Sequence, residues 1–393
     1  MERLRFKDEN GNEFSIKETV KLRSLLRSKS LRNKNEDVEL VLTVNNKKGF
    51  ITQQEQFEDR RVASKNISNY KIVEKDDFAY NPARINVGSI ARLKNFEKGI
   101  VSPMYNVFET NKKLDSTYFE YFLETLNFKN QMKRYLVGSV RQTLDMKSME
   151  LIKLNFPSLN EQEKIGGFLS AFDRLIEKQR EKVELLLTEK KGNLDSIFNN
   201  LSSNHKAVKL KDIGKFSYGK SAPKWSVSDD GETHCVRYGE LYSGYGEEIE
   251  EVFSRTTINP KSLKLSKGGE VLIPRVGENP LDFANCSVLR KPNVAIGEMI
   301  AIYETTEDPL YMVYLINTNL KRAFAKVVEG ASVSNLYYKY YESFEVKIHS
   351  KNEQKKIVSL LKGVDKLIRL ENRKLSVLLK LKKGYLQRLF HSE

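Results

Sequence analysis

The sequence predicts an α+β protein: two mixed α/β globular units and two long antiparallel helices pairing as a coiled coil, related by a pseudo-two-fold internal repeat. Three observations predict it. Between Asn160 and Phe198, 17 of 39 positions match their partners 192 residues later, between Asn352 and Phe390, without a gap. Roughly 2 or 3 matches would arise by chance at average composition. Both copies carry apolar residues at three- and four-residue steps, the spacing of one helix face. Each copy follows about 150 residues with the strand and turn signals of an ordinary mixed domain. The chain thus divides into residues 1–156, a long helix over 157–200, residues 201–348, and a second long helix over 349–393.

The helical stripe of the first copy comprises Ile165, Phe168, Leu169, Phe172, Leu175, Ile176, Val183, Leu186 and Leu187. That of the second comprises Ile357, Leu360, Leu361, Val364, Leu367, Ile368, Leu375, Leu378 and Leu379. Ile165, Leu169, Phe172, Ile176 and Leu186, with Ile357, Leu361, Val364, Ile368 and Leu378, are the expected pairing residues. Each copy opens with Ser-x-x-Glu, Ser158 with Glu161 and Ser350 with Glu353, the signature of a capping box. A helix of about 35 residues is roughly 50 Å long. The economical way to cover a stripe of that length is for the two helices to pack together; two separate amphipathic helices, each on its own domain, are the plain alternative. The repeat also reaches upstream at the same offset: Gly138–Leu144 and Gly330–Leu336 are both small, polar, glycine-led loops.

In the first unit, Val38–Val44 and the two halves of Tyr70–Tyr80 read as strands, as do Ile85–Leu93 and Ile100–Phe108. Asp115–Tyr135 reads as one helix with Phe119, Phe122, Leu123, Leu126 and Met132 on its apolar face. In the second unit, Glu270–Pro274 and Met299–Tyr303 read as strands and Leu310–Phe324 as a helix.

A net charge of +15 and a pI of about 9.4 point to a polyanionic partner, although basicity alone also fits ribosomal or membrane-surface proteins. Cys235 and Cys286 give neither a disulfide framework nor a metal quartet, and His205, His234, His349 and His391 have no metal spacing. No apolar run approaches a membrane span, and the start of the chain has no apolar signal segment, so a cytoplasmic protein without metal or membrane is expected.

Gly214–Ser221 matches the phosphate-binding P-loop pattern. That mechanism needs a helix directly after the loop to present free N–H groups. Here Ala222-Pro223-Lys224-Trp225 and a polar segment follow, so a glycine turn on a basic loop is the better reading. A nucleotide-binding enzyme using Lys220 and Ser221, or an adaptor that binds only protein, are the competing readings. No Gly-x-Ser-x-Gly elbow or Gly-x-Gly-x-x-Gly turn appears, and an enzyme is not expected.

The order globule, helix, globule, helix suits a molecule that sets two unlike globules against two separated sites on a two-fold duplex, with the helices fixing the gap. The residues Asn-Glu-Gln at each helix head resemble the conserved regions of type I restriction–modification specificity subunits. So do Leu-x-x-x-Asp-x-x-Ile within each helix (Leu169, Asp173, Ile176; Leu361, Asp365, Ile368) and the closing Lys-Lys-Gly-x-Leu. Lys209–Gly214 and Gly219–Pro223 are similar to the family's usual start of a target-recognition domain. Arg5–Phe14 fits its lead-in peptide, although Val20–Leu25 lacks the usual glycine. The resemblance implies a non-catalytic subunit that reads a bipartite site on double-stranded DNA. Two methyltransferase subunits and two restriction or motor subunits would be its partners. S-adenosylmethionine, ATP and Mg would bind those partners and not this chain.

Basic and amide side chains on loops are what such reading requires, because Arg or Lys recognises guanine and Asn or Gln adenine in the major groove. The candidates are Lys47, Lys48, Arg60, Arg61, Arg84, Arg141 and Gln142 in the first unit. In the second they are Lys220, Lys224, Trp225, Arg237, Arg275, Asn279 and Asn335. A solvated surface charge is the plain alternative for each, and Trp225 is expected partly in the core. Lys182, Lys190, Lys191, Lys374, Lys382 and Lys383 are candidates for meeting partner subunits, with mere solvation the equal alternative.

Overall fold

The computed structural model describes residues 4–14, 18–57, 66–138, 142–200, 205–330 and 332–390. The two long helices span Leu159–Asn199 and Lys351–Leu389. The chain forms two compact units, each including a piece of both helices. One unit is Met1–Arg180 with Arg373–Glu393, the other Glu181–Asn372.

In the first unit, a four-stranded antiparallel sheet runs in the order Leu26–Lys29, Asn106–Thr110, Phe78–Tyr80, Ile90–Arg92. In the second, the order is Gly214–Tyr218, Ile300–Thr305, Glu270–Pro274, Ser287–Leu289, with Glu248–Ile249 added in parallel at the edge. The two sheets share strand order and direction although their sequences have diverged. Each unit is closed by pairing its first strand with its last, Glu18–Lys21 with Lys153–Phe156 and Lys206–Lys209 with Glu345–Ile348.

Several predicted elements break up, each for a local reason. Of Val38–Val44 only the last three residues are strand, within Leu42–Asn45. Ile85–Leu93 is a short 3-10 turn ended by Gly88 at φ 94° and then a strand, Ile90–Arg92. Ile100–Phe108 is two strands, Lys98–Val101 and Asn106–Thr110. Asp115–Tyr135 is two helices, because the Thr125 hydroxyl caps the second by accepting from Phe128 N. Leu310–Phe324 carries a π-turn over Ile316–Leu320.

The helix heads are built into the globules. The Gln162 Oε1 accepts from Asp115 N at 2.8 Å, while its Nε2 donates to Lys113 O and Pro157 O. Gln354 repeats this, accepting from Asp308 N and donating to His349 O. Asp115 and Asp308 are themselves the N-caps of the short helices Ser116–Glu124 and Pro309–Leu315. Each glutamine thus ties the start of a long helix to the start of the globule's own helix. The capping box forms in full at Ser350 and Glu353. In the first copy Ser158 accepts from Glu161 N, while the Glu161 carboxylate is buried and paired with Arg5 at 3.2 Å.

Within each unit the helix segments run antiparallel. In the first, Phe168 meets Tyr385 and Asp173 meets Lys382. In the second, Lys182 meets Glu371 and Lys190 meets Asp365. Lys190 contacts Asp365 at 2.6 Å and Glu247 at 2.5 Å, and the Tyr314 hydroxyl donates to Asp365. Lys382 contacts Asp173 at 2.7 Å and Glu124 at 3.2 Å, and the Tyr121 hydroxyl donates to Asp173 at 2.6 Å. Burial opposes the charge on both lysines, yet the facing carboxylates outweigh it and raise both pKa values above the ordinary lysine value. Lys190 and Lys382 are therefore engaged in ion pairs within their own units.

Ile165 and Leu169 are fully buried, but in the core of the first globule, and Leu361 lies in that of the second. Ile176 and Ile368 are buried, whereas Phe172, Leu186, Ile357, Val364 and Leu378 are half-buried. Leu175, Leu187, Leu360, Leu367 and Leu379, expected within the pairing stripe, are exposed. The stripe is split because each helix segment packs on a globule as well as on its antiparallel partner. Phe198 and Phe390, equivalent in the repeat, close the two cores against Tyr311 and Tyr118.

Removing one member of a buried, hydrogen-bonded ion pair costs about 3–5 kcal/mol. Lys190→Met is expected to destabilise the second unit by that order in urea unfolding. Lys190→Met with Asp365→Leu should recover part of the loss, and an unchanged midpoint in the single variant would contradict the clamp.

Candidate nucleic-acid interface

The central strand of each sheet leads into a loop that carries candidate residues. Phe78–Tyr80 leads into Asn81–Arg84, and Glu270–Pro274 into Arg275–Gly277. A glycine-led loop docks on each: Leu144 N donates to Pro82 O at 3.1 Å, and Leu336 N to Arg275 O at 2.9 Å. Both glycine-led loops are pinched by the same antiparallel bridge, Val137 with Thr143 and Glu329 with Asn335. Leu144 and Leu336 anchor them in the cores. Gly138 and Gly330 sit at φ 111° and 116°, a region that L side chains avoid. A Cβ on Gly330 would also lie 2.2 Å from Val333 O. The described ends of the upstream extension are thus held by the same contacts in both copies.

In the second unit the structure gathers candidates around Gly297–Glu298. Glu298 N donates to Ser221 O, and Arg275 Nη1 donates to Glu298 O at 3.2 Å. Gly297 N donates to Val236 O, beside Arg237. Asn335 pairs with Val276 across a short ladder. Lys220 and Lys224 are exposed. Trp225 is 78 % exposed, which corrects the expectation that it is partly core. Its loop runs through Ser221 and Ala222, both at positive φ, and the neighbouring apolar cluster of Ala222, Cys235 and Ala295 does not include the indole. Arg237 is tied to Glu240 at 3.4 Å in the first turn of a short helix. The Asn279 Oδ1 is used to accept from Leu281 N.

In the first unit, Lys47 and Lys48 are exposed on the turn between Leu42–Asn45 and Gly49–Thr52, which Asn45 Oδ1 organises by accepting from both backbone N–H groups. Asn46 lies against Gly88, linking this turn to the segment that begins at the exposed Arg84. The Lys47–Lys48 turn also borders a cavity of about 460 Å³ lined by Arg92, Lys94, Glu124 and Asp173. Gln142 is exposed. Arg60, Arg61 and Arg141 lie outside the described residues.

The P-loop pattern is not a phosphate cradle. Gly214–Tyr218 is a sheet strand, with Phe216 stacked on Tyr303 at 4.4 Å. Gly219 N and Lys220 N donate to Ile300 O and Ile296 O, so those N–H groups are used within the protein. A 3-10 turn, Lys224–Ser226, stands where the mechanism requires a helix. Among the described residues, no three His, Cys, Asp or Glu are placed to hold a metal, and no helix is long and apolar enough to cross a membrane.

Residues 12–185 and 202–380 both match the family model for the type I restriction modification DNA specificity domain. The chain belongs to this family. It is a specificity subunit of the type I class, and such subunits are non-catalytic. It is 24 % identical over 313 residues to the type I restriction enzyme MjaVIII specificity subunit of Methanocaldococcus jannaschii, covering 73 % of this chain and 72 % of that one. Its fold is similar to that of the type I restriction–modification S subunit from M. genitalium, with a TM-score of 0.61 and 16 % identity over the whole of both chains. It is also similar to a chain solved in work on complex assembly and conformational transition of the type I R-M system. There the TM-score is 0.56 at 14 % identity, covering 97 % of this chain and 99 % of that one.

Sequence reasoning missed the two Tyr–Asp–Lys clamps of the specificity subunit. The available signal was that Asp173 and Asp365, like Lys190 and Lys382, survive in both copies, and antiparallel pairing sets each aspartate opposite the other copy's lysine. It also missed the tyrosines that stack on Arg275. Because the loop N–H groups are already engaged, purified subunit should show no tight magnesium-ATP binding by calorimetry, and Lys220→Ala should not alter the trace. A stoichiometric binding isotherm abolished by Lys220→Ala would overturn this assignment.

Proposed function

We propose that each globule reads one half of a bipartite site on double-stranded DNA, and that the long helices set the spacing between the halves. The observation that carries this reading is that the end of each central strand receives a glycine-led segment whose described ends make the same backbone contacts in both copies while the sequences differ. That is what two recognition surfaces with different sequence preferences require. The net charge of +15 supplies the attraction to phosphate.

The same helices would seat the catalytic partners. Leu175, Val377 and Leu379 are exposed in one unit, and their repeat equivalents Leu367, Leu185 and Leu187 in the other. Apolar side chains retained in both copies yet left uncovered fit two seats for one kind of partner. Two methyltransferase subunits are that partner in this proposal, with two restriction or motor subunits joining them. S-adenosylmethionine, ATP and Mg belong to those partners.

Exchanging residues 1–156 with those of a relative should change one half of the methylated site and leave the other half intact in methylome sequencing. A change in both halves would contradict separate reading. Leu175→Asp with Leu367→Asp should abolish co-purification of methyltransferase while the melting temperature holds. Full retention of the partner would remove these leucines from its seat.

A further inference from the structure

We infer that Arg275 reads a guanine in the half-site of the second unit, an assignment that rests on the DNA-reading proposal above and names one of its contacts. The Arg275 guanidinium lies 4.0 Å from the centroid of the Tyr218 ring and 5.1 Å from that of Tyr337. Aromatic contacts from both tyrosines restrict the plane without using its hydrogens. Nη1 donates to Glu298 O at 3.2 Å, which fixes rotation within that plane. Among the described residues Arg275 has no ion-pair partner, and its Nε is buried without a protein acceptor, so the charge is not neutralised within the protein and the donors left for a ligand are those of the terminal Nη1 and Nη2. Arg237, by contrast, is paired with Glu240.

A guanidinium whose rotation is fixed and whose terminal donors remain open offers the two coplanar donors that guanine O6 and N7 demand; a phosphate can use the same fork but reads no sequence, and the test below separates the two. The neighbouring Asn335, fixed by its backbone pairing with Val276, borders the same loop. In the first unit, Pro82 holds the corresponding position as acceptor from Leu144 N. Proline has no donor to offer, so this contact belongs to the second half-site alone. Tyr218 and Tyr337 act as positioning residues for Arg275.

The test is methylome sequencing of cells that express the full chain with its methyltransferase subunit. The variants are Arg275→Ala, Arg275→Lys, Tyr337→Leu and Tyr337→Phe, and competition binding at several salt concentrations is run alongside. The wild-type site should contain an invariant G·C pair in the half assigned to the second unit. Arg275→Ala and Arg275→Lys should both lose roughly tenfold to hundredfold discrimination at that pair only. Tyr337→Leu should relax the same position, and Tyr337→Phe should restore it. Arg275→Lys keeps the charge and Tyr337→Phe the ring, which guards against a simple folding defect. A uniform loss across all sequences, with a salt slope lower by about one, would make Arg275 a phosphate contact and overturn the inference. Unchanged specificity, or a wild-type half-site without G·C, would overturn it equally while leaving bipartite reading intact. Sequence-independent methylation by the wild-type complex would overturn both.

Discussion

The reciprocal ion pairing between the two helix copies is the constraint on which the rest depends. Asp173 holds Lys382 and Lys190 holds Asp365, so each copy supplies the acid of one clamp and the base of the other. Neither helix can satisfy its own buried charges, because its aspartate and lysine lie 17 positions apart on one rod. A buried lysine left without its carboxylates is costly, which makes antiparallel pairing of unlike copies the low-energy arrangement. Tyr121 and Tyr314 extend each clamp into a globule, so helix pairing and globule seating are one event.

This explains which parts of the sequence repeat. Gln162 and Gln354 must reach the same backbone N–H at the cap of a globule helix. Phe198 and Phe390 must fill the same gap beside a tyrosine. These roles demand one residue type at one position. The sheets need only an alternation of apolar residues, which many sequences provide, so their order persists without sequence identity. The loops at the strand ends keep a backbone frame through Gly138 and Gly330 while their side chains differ. Divergence is thus concentrated where specificity would be encoded.

The long helices, their caps and the unit-wise repeat were legible because periodicity and the repeated motifs act over many residues. The helix breaks at Thr125 and at Ile316–Leu320 were not, since tertiary packing and single side-chain caps override a continuous apolar pattern. Exposure of Leu175 and Leu367 was hidden for a related reason: a stripe read from sequence does not say which of its edges a globule covers. At the candidate interface, Lys220, Arg275 and Asn335 were legible as basic or amide residues on loops. The stacking of Tyr218 and Tyr337 on Arg275 was not, because those residues are far apart in the chain and meet only through the sheet.

The central claim is that the paired helices hold two separate recognition units at a set distance along a duplex. Its most direct test is insertion of four residues, about one helical turn, at equivalent positions in both long helices, followed by methylome sequencing. Four residues add about 6 Å to a helix, close to two base pairs at about 3.4 Å each. The account predicts that the non-specific spacer lengthens by one or two base pairs while both half-sites keep their sequences. Methylation of the original site with its original spacer would contradict it.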